Sequence, residues 1–266
     1  MTDNKTIYQV DAFTDIPFKG NPAGVMILNS EMPAGWMQNM ALEMNLSETA
    51  FIVPQQGSFD IRYFTPTIEV ALCGHATLAS AHILFEEGMV QAGQSLLLNA
   101  KAGRLVVRKE GDWLVMNFPV YSLSHIDVPD GFKECVGFKP IEAWSSDDDW
   151  IIAIAKTEEE IYSAKPDFNA LMEKGMGHLM ITALSREENV DFVVRCFAPR
   201  SGINEDPVTG SAHCALTPLW YKKTGKPEMN SYQVSDRTGR LKVRSVKDRV
   251  EISGQAVTVF KATLQI

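Results

Sequence analysis

Nowhere in the 266 residues do about 18 consecutive apolar side chains occur, so no membrane-spanning helix is expected. The opening Met1-Thr2-Asp3-Asn4-Lys5-Thr6 is polar and lacks the apolar segment of a secretory leader, which leads us to expect a cytoplasmic protein. Positive charge is also scarce. The net charge is -8, the pI is near 5.2, and no run of Lys and Arg stands out. Phosphate backbones and membrane surfaces are therefore poor candidates for partners. Only four cysteines occur, Cys73, Cys135, Cys196 and Cys214, with no C-x-x-C pair and no histidine at zinc-site spacing. No metal is expected from that pattern, and four dispersed thiols read most simply as small buried apolar residues.

What is present is length and hydrophobicity. At 45% hydrophobic content the chain can bury two cores, and a repeat divides it. Gly103-Arg104-Leu105-Val106-Val107-Arg108 returns as Gly239-Arg240-Leu241-Lys242-Val243-Arg244, five identities in six at an offset of 136. The same offset carries Gly74 onto Gly210, Ser95 onto Ser231 and Asp112 onto Asp248. Upstream, Arg62-Tyr63-Phe64-Thr65-Pro66 matches Arg195-Cys196-Phe197-Ala198-Pro199 at an offset of 133, as Thr49-Ala50 matches Thr182-Ala183. We therefore expect two copies of one unit, in domains spanning 1–120 and 121–266, with the last strand free to return to the first domain.

Each copy reads mainly as strands with one central helix. Alternation marks strands at Ile7–Phe13, Phe59–Phe64, Ser95–Asn99, Arg104–Lys109 and Trp113–Phe118. The second half has them at Trp150–Ala155, Val190–Phe197, Arg240–Arg244, Arg249–Ser253 and Val257–Leu264. The helices His75 to about Glu87 and Ser211 to about Tyr221 are apolar nearly all round, so the sheet should wrap them. Pro218 should bend or shorten the second. Gly35–Met44 and Asp167–Gly175 are ordinary amphipathic candidates. The fold class is α+β: two curved, mainly antiparallel sheets or barrels, each around a helix.

Ahead of each central helix lies a small-residue turn: Cys73-Gly74-His75 in one copy, and Asp206-Pro207-Val208-Thr209-Gly210-Ser211 in the other. Helix-start amides are donors without intrahelical partners at the positive end of the dipole, and Gly74 and Gly210 would let an anion approach them. Two such ends could serve a shared cleft; alternatively Thr209, Ser211 and Asp206 are simply caps. The repeat also breaks. At the offset of 133, Glu48 falls opposite Ile181, so the strand start is duplicated but the carboxylate is not. Desolvation there would raise the Glu48 pKa towards a range useful for acid-base transfer, although a surface glutamate at a loop end is the plainer alternative. His75 has Ser211 as counterpart and Asp206 has Val70. A histidine in a first helical turn should be neutral unless Asp206 or a ligand anion compensates its charge.

Several of these runs together resemble the PhzF-like family. They are Phe18-Lys19-Gly20-Asn21-Pro22-Ala23, Asn45-Leu46-Ser47-Glu48-Thr49-Ala50-Phe51, Phe64-Thr65-Pro66, Cys73-Gly74-His75-Ala76-Thr77 and Glu205-Asp206-Pro207-Val208-Thr209-Gly210-Ser211-Ala212-His213, with Gln233-x-Ser235-x-Arg237 later. The resemblance implies a diaminopimelate-epimerase-like fold and a homodimer. It also implies an isomerase that moves a proton on a small carboxylated amino- or hydroxy-acid without any cofactor. It assigns the proton transfer to Glu48, with His75 and Asp206 assisting and Gly74, Gly210, Ser211 and Cys73 around the substrate. Two alternatives stay open: an epimerase or racemase on the same fold, and a ligand-binding homologue without turnover. Two-thiol racemisation is disfavoured, because Cys73 has Thr209 as its repeat counterpart and Cys214 lies about a turn into the helix.

Overall fold

A computed structural model describes residues 5–91 and 93–265. Met1–Asn4, where most of the polar opening lies, fall outside the described residues. The chain forms two compact units: one runs to Asn117 and resumes at Ser253, and the other is Phe118–Ile252. Among the described residues no helix is long and apolar enough to cross a membrane.

The first unit is a mixed sheet over two helices. Its strands are β1 (Thr6–Ala12), β2 (Asn21–Ile27), β3 (Glu48–Gln55), β4 (Ser58–Phe64), β5 (Glu69–Val70), β6 (Leu96–Ala100), β7 (Gly103–Glu110) and β8 (Trp113–Pro119). β1 pairs antiparallel with β2, β2 parallel with β3, and β3 antiparallel with β4. β4 takes β5 antiparallel and β6 parallel, and β6–β7–β8 is an antiparallel meander. The C-terminal strand Ala256–Thr263 closes on the outer edge of β1, Thr6 facing Thr263 and Ala12 facing Ala256. Helix α1 (Ala34–Met44) lays Met37, Met40 and Ala41 on Met26, Phe51 and Phe64. Helix α2 (Gly74–Glu86) is buried from His75 to Ala81 and again at Ile83 and Leu84. That burial is why its sequence shows no polar stripe.

The second unit carries β9 (Leu123–Ile126), β10 (Glu142–Ser146), β11 (Ile151–Ile154), β12 (Leu179–Leu184), β13 (Phe192–Ala198), β14 (Ile203–Asp206), β15 (Glu228–Gln233), β16 (Gly239–Val246) and β17 (Arg249–Gly254). Its pairing senses follow the same succession: β9–β10 and β10–β11 antiparallel, β11–β12 parallel, β12–β13 and β13–β14 antiparallel, β13–β15 parallel, β15–β16 antiparallel. Short helices α3 (Phe132–Val136), α4 (Glu158–Ser163) and α5 (Phe168–Glu173) flank it, α5 capped by the Asp167 carboxylate on the amides of Asn169 and Ala170. The core here is Phe132, Ile161, Leu171, Leu179, Ile181, Val193 and Phe197 with their neighbours.

Three sequence expectations are corrected. The central helix α6 runs His213–Thr224 and does not start at Ser211, because residues 210–212 form tight turns in which the amides of His213, Cys214 and Ala215 bond three residues back. Pro218 does not shorten it. The carbonyl four residues earlier, on Cys214, accepts instead from the Tyr121 amide at 3.0 Å, so the group that proline leaves without a helical donor is satisfied. The expected match of Glu48 with Ile181 also differs from the strand register. Strand register sets Arg62 against Phe51 and Arg195 against Ile181. Matching Arg62 to Arg195 therefore places Ile181 with Phe51, and His178, three residues earlier, with Glu48. The second position carries no carboxylate on either alignment.

Candidate active site

Glu48 is the first residue of β3, in register with Ala23 of β2. It follows Asn45, which ends α1 in the left-handed conformation at φ 50°, and Ser47, whose hydroxyl approaches the amide oxygen of fully buried Asn21 at 3.5 Å. The sharp exit from α1 puts Glu48 at the mouth of a buried strand, its side chain 15% exposed.

Across from it stands the start of α2. Cys73 takes the extended N-cap conformation and makes no side-chain cap, while Thr77 bonds the Cys73 carbonyl through its amide at 3.0 Å and its hydroxyl at 2.6 Å. The Tyr63 phenol meets the same Thr77 hydroxyl at 2.7 Å, a buried chain that fixes the turn from β4. Held there, His75 has Nε2 3.1 Å from Glu48 Oε2 and Nδ1 3.4 Å from Cys73 Sγ. Its contact with Glu48 has ion-pair distance but not hydrogen-bond alignment, and among the described residues Oε2 is a buried oxygen without a hydrogen-bond partner.

The electrostatics reverse two expectations. Burial alone would raise Glu48, but the positive charge of His75, with Cys73 and Ser47 nearby, outweighs it and holds the carboxyl below the ordinary carboxylate range. For His75, burial pulls down while Cys73 and Glu48 push up, and the imidazole titrates well above its ordinary value. That direction favours the imidazolium, with the Glu48 carboxylate as the compensating charge within the same unit. Burial raises the Cys73 pKa, and the Glu48 charge adds to it against the lowering pull of His75. A Cβ on Gly74 would meet nothing within 4 Å, so no protein atom demands glycine there, whereas one on Gly20 (φ 66°) would lie 2.2 Å from the Ala12 carbonyl oxygen.

The other sequence-chosen residues gather in the second unit. Asp206 ends β14 and accepts the Thr209 hydroxyl at 2.5 Å. Gln233, fully buried on β15, accepts the Thr209 amide at 2.8 Å and donates to the Asp206 carbonyl at 2.8 Å, and the Ser235 hydroxyl donates to the Pro207 carbonyl at 2.6 Å. His213 points Nδ1–H at the carbonyls of Thr209 and Gly210, 3.2 and 3.3 Å away, so Nε2 accepts from Ser231 at 2.7 Å. Burial brings the His213 pKa down to about 4, and it is neutral. Gly210 is buried and Ser211 exposed in that turn. Of Gln233, His213 and Ser231, which the sequence does not mark as functional residues, Gln233 carries the clearest signal through the late Gln-x-Ser-x-Arg run. All four cysteines are free and buried.

Comparison with known proteins fits these motifs. The family model described as phenazine biosynthesis-like protein, PhzC-PhzF, matches residues 10–262. An uncharacterized isomerase of Halalkalibacterium halodurans is 44% identical over 97% of this chain and 97% of its own, and one of Pseudomonas aeruginosa is 42% identical over 98% and 99%. The crystal structure of a PhzF-family protein from Enterococcus faecalis superposes with a TM-score of 0.94 at 38% identity, covering 99% of this chain and 100% of the other.

Proposed function

Since the chain belongs to the PhzC-PhzF family of phenazine biosynthesis-like proteins and is an isomerase, we propose that it moves a proton on a small carboxylated amino- or hydroxy-acid, without a cofactor, using Glu48 as general acid and base. One observation carries this reading: a buried, ionised Glu48 oxygen without a hydrogen-bond partner, 3.1 Å from a charged imidazole.

The chemistry follows from charge balance. At rest the carboxylate and the His75 imidazolium neutralise each other. When Glu48 takes a proton from carbon it becomes neutral, and the imidazolium is left uncompensated beside the negative charge forming on the substrate, which it stabilises as that charge develops. The depressed pKa makes Glu48 a modest base but a strong acid once protonated, suited to returning the proton to a second carbon. We assign Gly74, Asp206, Gly210 and Ser211 to substrate binding, with Cys73 as a wall. The two units are, in this proposal, copies of one ancestor. The bidentate Arg62–Glu69 and Arg195–Glu205 pairs, each arginine also over a phenylalanine, Phe64 or Phe197, support it. The family resemblance extends the proposal to a homodimer, which sedimentation velocity reads directly.

The test is incubation of cyclic and acyclic amino and hydroxy acids in deuterated water with wild type and Glu48→Gln. Label entering carbon with wild type alone supports the assignment. A panel member that binds tightly yet takes up no label points to the non-catalytic homologue. The Cys73 thiol beside His75 keeps epimerisation as a second reading, and inversion at a single carbon in chiral analysis would select it.

A further inference from the structure

Matching Arg62 to Arg195 also matches Tyr63 to Cys196 and Phe59 to Phe192. Asp206 pairs with Cys196 where Val70 pairs with Tyr63. Ser231 pairs with Phe192 where Leu98 pairs with Phe59, so Gln233, two residues on, falls with Ala100. The second unit thus carries a carboxylate and a carboxamide where the first has apolar side chains, and one residue, Thr209, joins the two. We propose that Gln233 and Thr209 are positioning residues that hold the Asp206 carboxylate as a directed hydrogen-bond acceptor for the substrate.

The fully buried carboxamide spends its hydrogen bonds on that one turn. Oε1 of Gln233 accepts the Thr209 amide at 2.8 Å, with Cys196 Sγ 3.9 Å away. The two hydrogens on Nε2 go to the Asp206 carbonyl at 2.8 Å and the Thr209 hydroxyl at 3.2 Å. These bonds fix which way round the amide sits, because its oxygen only accepts and its nitrogen only donates. They also fix Thr209. Its hydroxyl has a single hydrogen, and since the oxygen receives the Gln233 N–H, that hydrogen is delivered to Asp206 Oδ2, 2.5 Å away. Donors therefore run in one direction from amide to hydroxyl to carboxylate, each bond polarising the next. Packing alone does not call for an amide here, since an apolar side chain would fill the space without the cost of burying polar groups. Nor does fastening the helix start. His213 holds the Thr209 carbonyl as Thr77 holds that of Cys73, so both units fasten the turn from the residue four places on. The carboxamide is an addition on the side of the carboxylate. Its positioning role rests on the assignment of Asp206 to substrate binding proposed above; the hydrogen-bond relay does not.

The test uses the full chain and three variants. Gln233→Glu keeps the size of the side chain and one accepting oxygen but replaces the donor nitrogen; Thr209→Val keeps the shape and removes the hydroxyl, which Thr209→Ser restores. With the panel acid that wild type labels, Gln233→Glu and Thr209→Val should each raise the KM for exchange by about ten- to a hundredfold, the scale of a lost hydrogen bond to a charged group, with a smaller change in kcat. Thr209→Ser should recover most of the loss. Measured against wild type at the same pH, Gln233→Glu should recover on acidification, as its carboxyl gains a proton and donates again. An unchanged KM in Thr209→Val, or a loss in Gln233→Glu that acid does not relieve, overturns the role; if Gln233→Glu does not fold, the two Thr209 variants decide it. The relay itself is read without substrate by nitrogen-15 NMR of the Gln233 side-chain amide. Two slowly exchanging hydrogens are expected in wild type, and Thr209→Val should release one of them. Rapid exchange of both in wild type, or no change on loss of the hydroxyl, overturns the relay. A relay present in a chain that labels no acid upholds the relay and instead counts against the proton-transfer reading.

Discussion

Two histidines stand at the starts of two buried helices, and their neighbours shift their protonation in opposite directions. His75, second residue of α2, has a carboxylate and a thiol for company and is held protonated. His213, first residue of α6, is enclosed by two backbone carbonyls and a serine hydroxyl and is held neutral. Both oppose the positive helix end when charged, so the dipole does not separate them. What separates them is Glu48, whose carboxylate oxygen lies 3.1 Å from His75 Nε2. A neutral, fully satisfied histidine is a fastening; a charged one next to an unsatisfied carboxylate oxygen is chemistry held in readiness.

The comparison breaks most visibly through Glu48. Replacing it with Gln should lower label exchange by about 10² or more, the scale of a lost general acid-base group, with the fold retained by circular dichroism. A variant that still exchanges would remove the distinction altogether. The histidines should then dissociate in opposite directions. His213→Leu leaves the Ser231 hydroxyl and the Thr209 carbonyl buried without their partner and should cost about 1 to 3 kcal/mol in urea unfolding. His75→Gln should instead cut exchange by about tenfold or more while costing less stability.

A pH series sharpens the same contrast. The folded-state pKa of His75 is raised, so its contribution to stability is fully present below the ordinary histidine value near 6.5 and is lost as pH climbs through the raised value. The stability gap between wild type and His75→Gln should therefore narrow as pH rises above about 6.5. His213 is depressed to about 4, so its contribution is present above 6.5 and disappears as pH falls towards 4. The gap between wild type and His213→Leu should shrink on acidification. Urea midpoints across the range check both signs. The smallest effect belongs to Gly74→Ala: since its Cβ meets no protein atom, stability should hold or rise by up to about 1 kcal/mol, while affinity for the substrate acid falls.

The sequence discloses these two helices through their lack of any polar face, and their turns through Gly74 and Gly210. It also discloses the asymmetry at Glu48, since a charge among duplicated strand residues stands out without any coordinates. Its consequence was not legible. Whether Glu48 would be raised or lowered depends on what lies across space, and the approach of His75 is fixed by a chain from Tyr63 on β4 through Thr77 on α2 to Cys73 at its N-cap. Matching Thr49-Ala50 to Thr182-Ala183 and matching the strand partners of Arg62 and Arg195 differ in register by three, a shift that sequence similarity alone does not reveal. Strands β2, β12 and β15 escaped the alternation test: β2 opens on Asn-Pro-Ala-Gly, β12 is buried at five successive positions, and β15 is mostly polar.

The most direct test of the central claim is nitrogen-15 NMR of the histidine rings at pH 7 in wild type and Glu48→Gln. His75 should be doubly protonated, with a pKa that falls towards the ordinary value when Glu48 is neutralised, beside a His213 that stays singly protonated at Nδ1 in both proteins. A neutral His75 in the wild type, or one indifferent to the loss of Glu48, would contradict it.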